Sequence, residues 1–282
     1  MLRHDAGQLR ERARELRSLM NLKPYIEFAR KAFAREAVYR VEVLTKIGSL
    51  ILRVYVLRSL WTALYARNAA PLNLPLHSMI TYVTVAMLMS LILSVDGTWL
   101  LREKIREGTI ETDLIKPISI PLYLFSDGFG QALLQAVLVI PSLLCALLLV
   151  HIDIPNGATF VIFMLSFTVG YCVNFLLNLL MNSVAFWTLD STVAQMIVRW
   201  ASELLSGAII PLTFFPGIVG RVVTALPFAA IYSTPLLIYV GVIPASQWAL
   251  AIAVQCIWLV LFAVLASMVW SAASRKIVIQ GG

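Results

Sequence analysis

The stretch Trp99-Leu100-Leu101-Arg102-Glu103-Lys104-Ile105-Arg106-Glu107-Gly108-Thr109-Ile110-Glu111-Thr112-Asp113-Leu114-Ile115-Lys116-Pro117 is a dense island of charge between two long apolar runs. Charged stretches of this kind are otherwise confined to the first 46 residues. A segment held between two membrane-crossing runs must lie at one face of the bilayer, where a soluble partner can reach it.

Composition fixes the class. Hydrophobic residues make up 60% of the 282-residue chain and charged residues 13%, and the mean hydropathy is +0.86. Soluble domains carry about a quarter charged residues, so the chain reads as an integral membrane protein. A hydrocarbon core about 30 Å thick requires roughly 20 apolar residues per helix. Windows at about 47–66, 78–97, 121–150, 157–186, 193–213 and 246–271 meet that need and predict six spans. The third and fourth are long enough to tilt or to project past the membrane surface. The first 20 residues are too charged for a secretory signal, so insertion is expected to rely on the first span.

Orientation follows from the basic residues. Eleven of the 22 Lys and Arg precede Ile47, four lie at Arg102, Lys104, Arg106 and Lys116, and two lie at Arg275 and Lys276. The opposite face offers Arg67 and Arg221. Both termini are therefore expected in the cytosol. The formal net charge of +7 does not indicate nucleic-acid binding, because the basic residues alternate with acidic ones and no aromatic–basic interleaving follows.

Residues 1–46 read as a cytosolic arm followed by an amphipathic helix. Tyr25, Ile26, Phe28, Ala29, Ala32 and Phe33 alternate with Glu27, Arg30, Lys31, Arg35, Glu36 and Arg40. That spacing predicts a helix lying on the inner leaflet, or a solvated extension of the first span. The remaining residues, 47–282, read as the transmembrane domain. Within it, residues 211–244 hold Pro211, Pro216, Pro227, Pro235 and Pro244. Too apolar for a loop and too interrupted for one helix, this region is expected to form re-entrant helices between spans five and six.

In their order, these features resemble a permease subunit of the ABC-2 type exporter family. The resemblance rests on the amphipathic helix, on Arg106-Glu107-Gly108-Thr109-Ile110 through Leu114-Ile115-Lys116-Pro117, and on the break at Ser206-Gly207-Ala208-Ile209-Ile210-Pro211. The re-entrant stretch and the closing Ile279-Gln280-Gly281-Gly282 complete it. It implies a half-transporter of the bacterial inner membrane that pairs with a second permease, identical or homologous. It also implies two separate ABC ATPase subunits, with ATP and Mg bound in them rather than here. The chain contains no G-x-x-x-x-G-K-[ST] phosphate loop.

In such permeases the segment between spans two and three is a coupling helix, which maps here onto about Trp99–Pro117. Its candidate residues are Arg102, Glu103, Arg106, Glu107, Gly108, Asp113, Leu114, Lys116 and Pro117. Charges of both signs recur four apart, while Ile105, Ile110, Leu114 and Ile115 offer apolar anchors for docking. By the same resemblance Gly207, Pro211, Pro216 and Pro227 belong to an outer gate.

Polar residues inside spans are functional candidates. Asp127, Gln131 and Gln135 recur every fourth residue, as do Asn174, Asn178 and Asn182. Depth counting matches the two rows and predicts an interhelical ladder, which either holds helices together or faces substrate. The same counting places Arg53 near Asp127 and Arg58 near Glu203, predicting ion pairs; the family resemblance implies that the second can form between subunits. Asp190 is expected to cap the fifth helix. No catalytic or metal-binding set emerges, since His4, His77 and His151 are far apart and the three Cys lie inside apolar runs. An ATPase-independent carrier using Arg58, Glu203 and the amides is the competing reading.

Overall fold

Twelve α-helices and three short 3-10 turns make up the regular structure of the described residues, with no strands among them. The computed structural model describes residues 22–37, 40–66, 74–114, 116, 118–188 and 191–280. The amino-terminal arm, Arg67, Ile115, Pro117, Asp190 and Gly281-Gly282 lie outside them.

In chain order the helices are α1 (Lys23–Glu36), α2 (Arg40–Ala66), α3 (Leu76–Leu93), α4 (Trp99–Arg106), α5 (Ile110–Leu114) and α6 (Ile120–Leu149). They continue with α7 (Gly157–Ser183), α8 (Ala185–Thr188), α9 (Thr192–Leu205), α10 (Gly217–Ala225), α11 (Ser233–Tyr239) and α12 (Trp248–Gln280).

Five helical stretches are long and apolar enough to cross a membrane: Thr45–Ala66, Leu76–Leu93, Ile120–Leu149, Gly157–Thr188 and Ala245–Ala273. The chain is therefore a multi-pass, all-helical membrane protein. The fifth predicted span is shorter than expected. Instead of running over 193–213, helix α9 stops at Leu205 after 14 residues, a rise of roughly 21 Å at 1.5 Å per residue. Gly207 adopts φ +84°, and Pro211, lacking an amide hydrogen, starts the 3-10 turn Leu212–Phe214. The helix cannot propagate through that pair.

Helix α3 is the centre of the bundle. In the span windows 67% of α3 is buried, against 17% of α2 and 17% of α12, so the latter two turn most of their surface outward. Helix α3 packs against α2, α6 and α11, while α7 packs against α12, α11 and α4. Residues 211–244 break into the pieces Leu212–Phe214, α10, Pro227–Ala230 and α11, each too short to cross. Their inner side is pinned by Gln255 of α12. Its Nε2 donates to the carbonyls of Ala230 (2.7 Å) and Ser166 (3.1 Å), and its Oε1 accepts from the Ser166 hydroxyl at 2.8 Å.

Helix α1 forms where the amphipathic pattern lies, and its partner is α6. Tyr25 and Ala32 are buried there. The Tyr25 hydroxyl accepts the Ser119 amide at 3.0 Å, and Phe28 meets Tyr123 edge-on at 4.7 Å. The approach is close because residue 130 is glycine: a Cβ there would lie 2.1 Å from the Ala29 carbonyl oxygen. Helix α6 has 30 residues, a length of roughly 45 Å, and this exceeds the hydrocarbon core by about 15 Å. Its first turns thus extend into the interface and provide α1 with a surface.

Candidate coupling site

The charged island folds as two short helices, α4 and α5, joined by a turn in which Gly108 takes φ +71°. The amphipathic spacing decides which way they face. Leu101, Ile105 and Ile110 are buried against Leu124, Phe175, Leu179, Phe186 and Ala273 of the bundle. The predicted anchors Ile105 and Ile110 therefore hold the segment to its own membrane helices and are not available to a docking partner. What remains exposed is the tip, Arg106, Glu107, Gly108, Thr109, Glu111 and Thr112. Pro117 lies outside the described residues, as does the side chain of Leu114.

Ion pairs stiffen the tip. Arg106 pairs with Glu103 one turn earlier. Asp113 is buried, with a side-chain accessibility of 7%, and accepts from Lys104 and from Lys116 Nζ, the latter at 2.6 Å. Burial alone raises a carboxyl pKa. The two lysine hydrogen bonds outweigh it, so Asp113 is held below the ordinary carboxylate value.

The segment is tied to the bundle by a polar relay that sequence reasoning missed. Arg102 Nη1 donates to Gln195 Oε1 at 2.7 Å, and Gln195 Nε2 donates to Asp96 Oδ2 at 2.9 Å. Asp96 Oδ1 accepts from the Thr98 amide (3.0 Å) and hydroxyl (2.7 Å). Asn182 Nδ2 reaches Thr98 Oγ1 at 2.6 Å and Asp96 Oδ2 at 3.4 Å, and Asn182 Oδ1 accepts from Ser191 at 3.3 Å. Four elements meet here: the turn after α3, α4, the end of α7 and the start of α9. A guanidinium can only donate and a carboxylate can only accept, so the direction of every bond between Arg102 and Asp96 is fixed. A signal existed in the sequence, where Asp96-Gly97-Thr98 closes a run free of charge from His77 onward.

The intramembrane rows do not form a ladder. Asn174 donates to the Leu93 carbonyl at 3.1 Å, Asn178 donates to the Asn174 carbonyl at 3.0 Å, and Asn182 joins the relay. Gln131 donates to Asp127 one turn away at 2.8 Å, and the buried Gln135 Oε1 has no partner among the described residues. The two rows thus find their partners separately, and α6 and α7 meet through aromatic contacts such as Phe125–Phe175 at 5.0 Å.

Within one chain the predicted ion pairs are also replaced. Asp127 pairs with Arg35 of α1 at 2.9 Å, and that hydrogen bond raises the arginine pKa. Arg53 is exposed. Arg58 donates to the Leu149 carbonyl at the end of α6, a terminus with unsatisfied acceptors. Glu203 meets Arg199 one turn earlier at 3.5 Å. Depth counting along single spans could not anticipate α1, nor the carbonyls of a helix end.

At the break after α9, the buried Tyr82 hydroxyl donates to the Gly207 carbonyl at 2.7 Å. Pro211 and Pro216 start the Leu212–Phe214 turn and α10, and Pro227 starts the Pro227–Ala230 turn.

A family model described as ABC-2 family transporter protein matches residues 60–281. No curated protein and no solved structure matches the chain.

Proposed function

Because the chain belongs to the ABC-2 family of transporter proteins, we propose that it is the permease subunit of an ATP-driven exporter, powered by separate ABC ATPases. The exposed tip of residues 106–112 docks on the ATPase. Movement of α4 passes through Arg102, Gln195 and Asp96 into α9, and from there to the break at Gly207. The single observation that carries this reading is that relay, which joins the charged segment to α9 by bonds of fixed direction.

Helix α9 and the broken segment after it complete a sixth crossing. Two contacts support this. Gln195 touches Asp96 beyond the inner end of α3, while Gly207 touches Tyr82, roughly 9 Å from the outer end of α3 at 1.5 Å per residue. An even number of crossings puts both termini in the cytosol, in accord with the basic residues. Exposed apolar side chains along α2 and α9, including Leu52, Tyr55, Val56, Ile197, Trp200 and Leu204, provide the face on which a second permease packs. In that pairing Arg58 and Glu203 can meet across subunits. The pieces from Pro211 to Tyr239 form the outer gate, with Gly207, Pro211, Pro216 and Pro227 as its joints. The carrier reading has no comparable support, since Arg58, Glu203 and the amides are engaged at separate places.

Co-expression with the ABC ATPase of the same transporter tests the proposal. The wild-type chain is expected to retain a stoichiometric ATPase, whereas Arg106→Glu with Glu107→Lys loses it. Asp96→Asn is expected to keep the ATPase bound but to uncouple hydrolysis from transport. Equal retention by the reversed tip would refute the docking surface, and no ATPase under any condition would refute the exporter.

A further inference from the structure

A crevice of about 520 Å³ opens between the first turns of α6, the inner end of α7 and the inner third of α12. It shares Phe175 and Leu179 with the surface on which α4 packs, but the polar relay does not pass through it. Phe125, Phe175 and Trp270 form its walls, Cys172 and Ala263 its deep end, and the serines Ser119 and Ser271 its mouth.

Its depth decides what can fill it. From the outer helix ends, Gly157 to Cys172 and Trp248 to Ala263 each span roughly 22 Å at 1.5 Å per residue. Leu179 and Ser271 lie roughly 33 and 34 Å from those same ends. With a hydrocarbon core about 30 Å thick, the crevice straddles the boundary between inner-leaflet chains and headgroups. Its apolar end lies in hydrocarbon and its serines lie at headgroup level. An alkyl chain, which needs no hydrogen-bond partner, suits this apolar end.

The charge at the mouth selects a headgroup. Lys116, on the linker just before Ser119, has a side chain 57% exposed while it also touches Asp113. Helix α12 continues past Ser271 through Arg275 and Lys276. A basic side chain beside a lipid-sized opening favours a phosphate.

We propose that this crevice is a binding site for one anionic phospholipid of the inner leaflet, with an acyl chain between the touching Phe125–Phe175 pair on one side and Trp270 on the other, and the phosphate at the level of Lys116. The site is independent of the identity of the ATPase and of the cargo.

The test uses the full-length chain in nanodiscs that contain brominated phosphatidylglycerol or brominated phosphatidylcholine at equal mole fraction. The readout is the fluorescence lost in the Trp270→Phe variant, which isolates the indole in the crevice. Phosphatidylglycerol is expected to quench it several-fold more than phosphatidylcholine. Ala263→Phe and Ser267→Phe, both at exposed positions, fill the crevice without disturbing the core and abolish the excess, and Lys116→Glu reduces it. Equal quenching by both headgroups, or an excess that survives both filling variants, overturns the proposal.

Discussion

Replacing Asp96 with asparagine keeps the shape of the side chain and reverses the hydrogen-bonding character of one end. The oxygen stays with Thr98, whose amide and hydroxyl both donate to it. The new amide nitrogen then faces Gln195 Nε2, so a donor meets a donor. Gln195 cannot turn over to relieve this, because its Oε1 accepts from Arg102 at 2.7 Å. One charge-assisted bond of 2.9 Å is lost. Such bonds contribute about 1.5–3 kcal/mol; since Asp96 is only half-buried, the low end applies, about 1.5–2 kcal/mol. Attachment of α9 to the turn after α3 should weaken roughly ten- to thirty-fold. Hydrogen exchange at the start of α9 should rise by that factor, and the unfolding midpoint in detergent should fall. The decisive variant is the pair Asp96→Asn with Gln195→Glu. The new carboxylate accepts from Arg102 and from the new amide, which restores a consistent direction. A double-mutant cycle should return most of the loss. If the pair is no better than the sum of its parts, the relay is not a directed chain and the reasoning fails.

Gly130→Ala should loosen α1, since its Cβ would lie 2.1 Å from the Ala29 carbonyl oxygen. A cost of about 1–3 kcal/mol should appear as faster proteolysis after Arg35, while Gly157→Ala, which meets nothing within 4 Å, leaves the rate unchanged. Asp113 has a depressed pKa in the folded chain. Its contribution is therefore present above the unfolded value of about 3.9 and is lost as pH falls through the folded one. Protection of residues 107–118 from protease should persist from neutrality to mildly acidic pH and then drop, and Asp113→Asn should remove that drop. Tyr82→Phe removes the buried bond to Gly207 and should lower stability by about 1 kcal/mol. Gly207→Ala should do more harm, because φ is +84° and its Cβ would sit 3.0 Å from the tyrosine hydroxyl; ranking the two unfolding midpoints checks this.

Apolar run lengths were enough to establish an all-helical, multi-pass chain, because they depend only on how many consecutive residues can leave water. The prolines after Ser206 likewise announced the break, since a missing amide hydrogen is a local property. The partners of polar side chains were not legible in this way. Asp127 was matched by depth to Arg53, yet it pairs with Arg35, which the sequence separates by 92 residues and the gap left by Gly130 brings close. The anchors Ile105 and Ile110 have the right periodicity, but only packing could say that they face inward. The sequence by itself determined that the chain is built of helices long and apolar enough to cross a membrane several times. Tertiary structure decided which side chains meet, because a hydrogen bond requires a donor and an acceptor within about 3 Å, and helix rotation and close approach set that distance, not spacing along the chain.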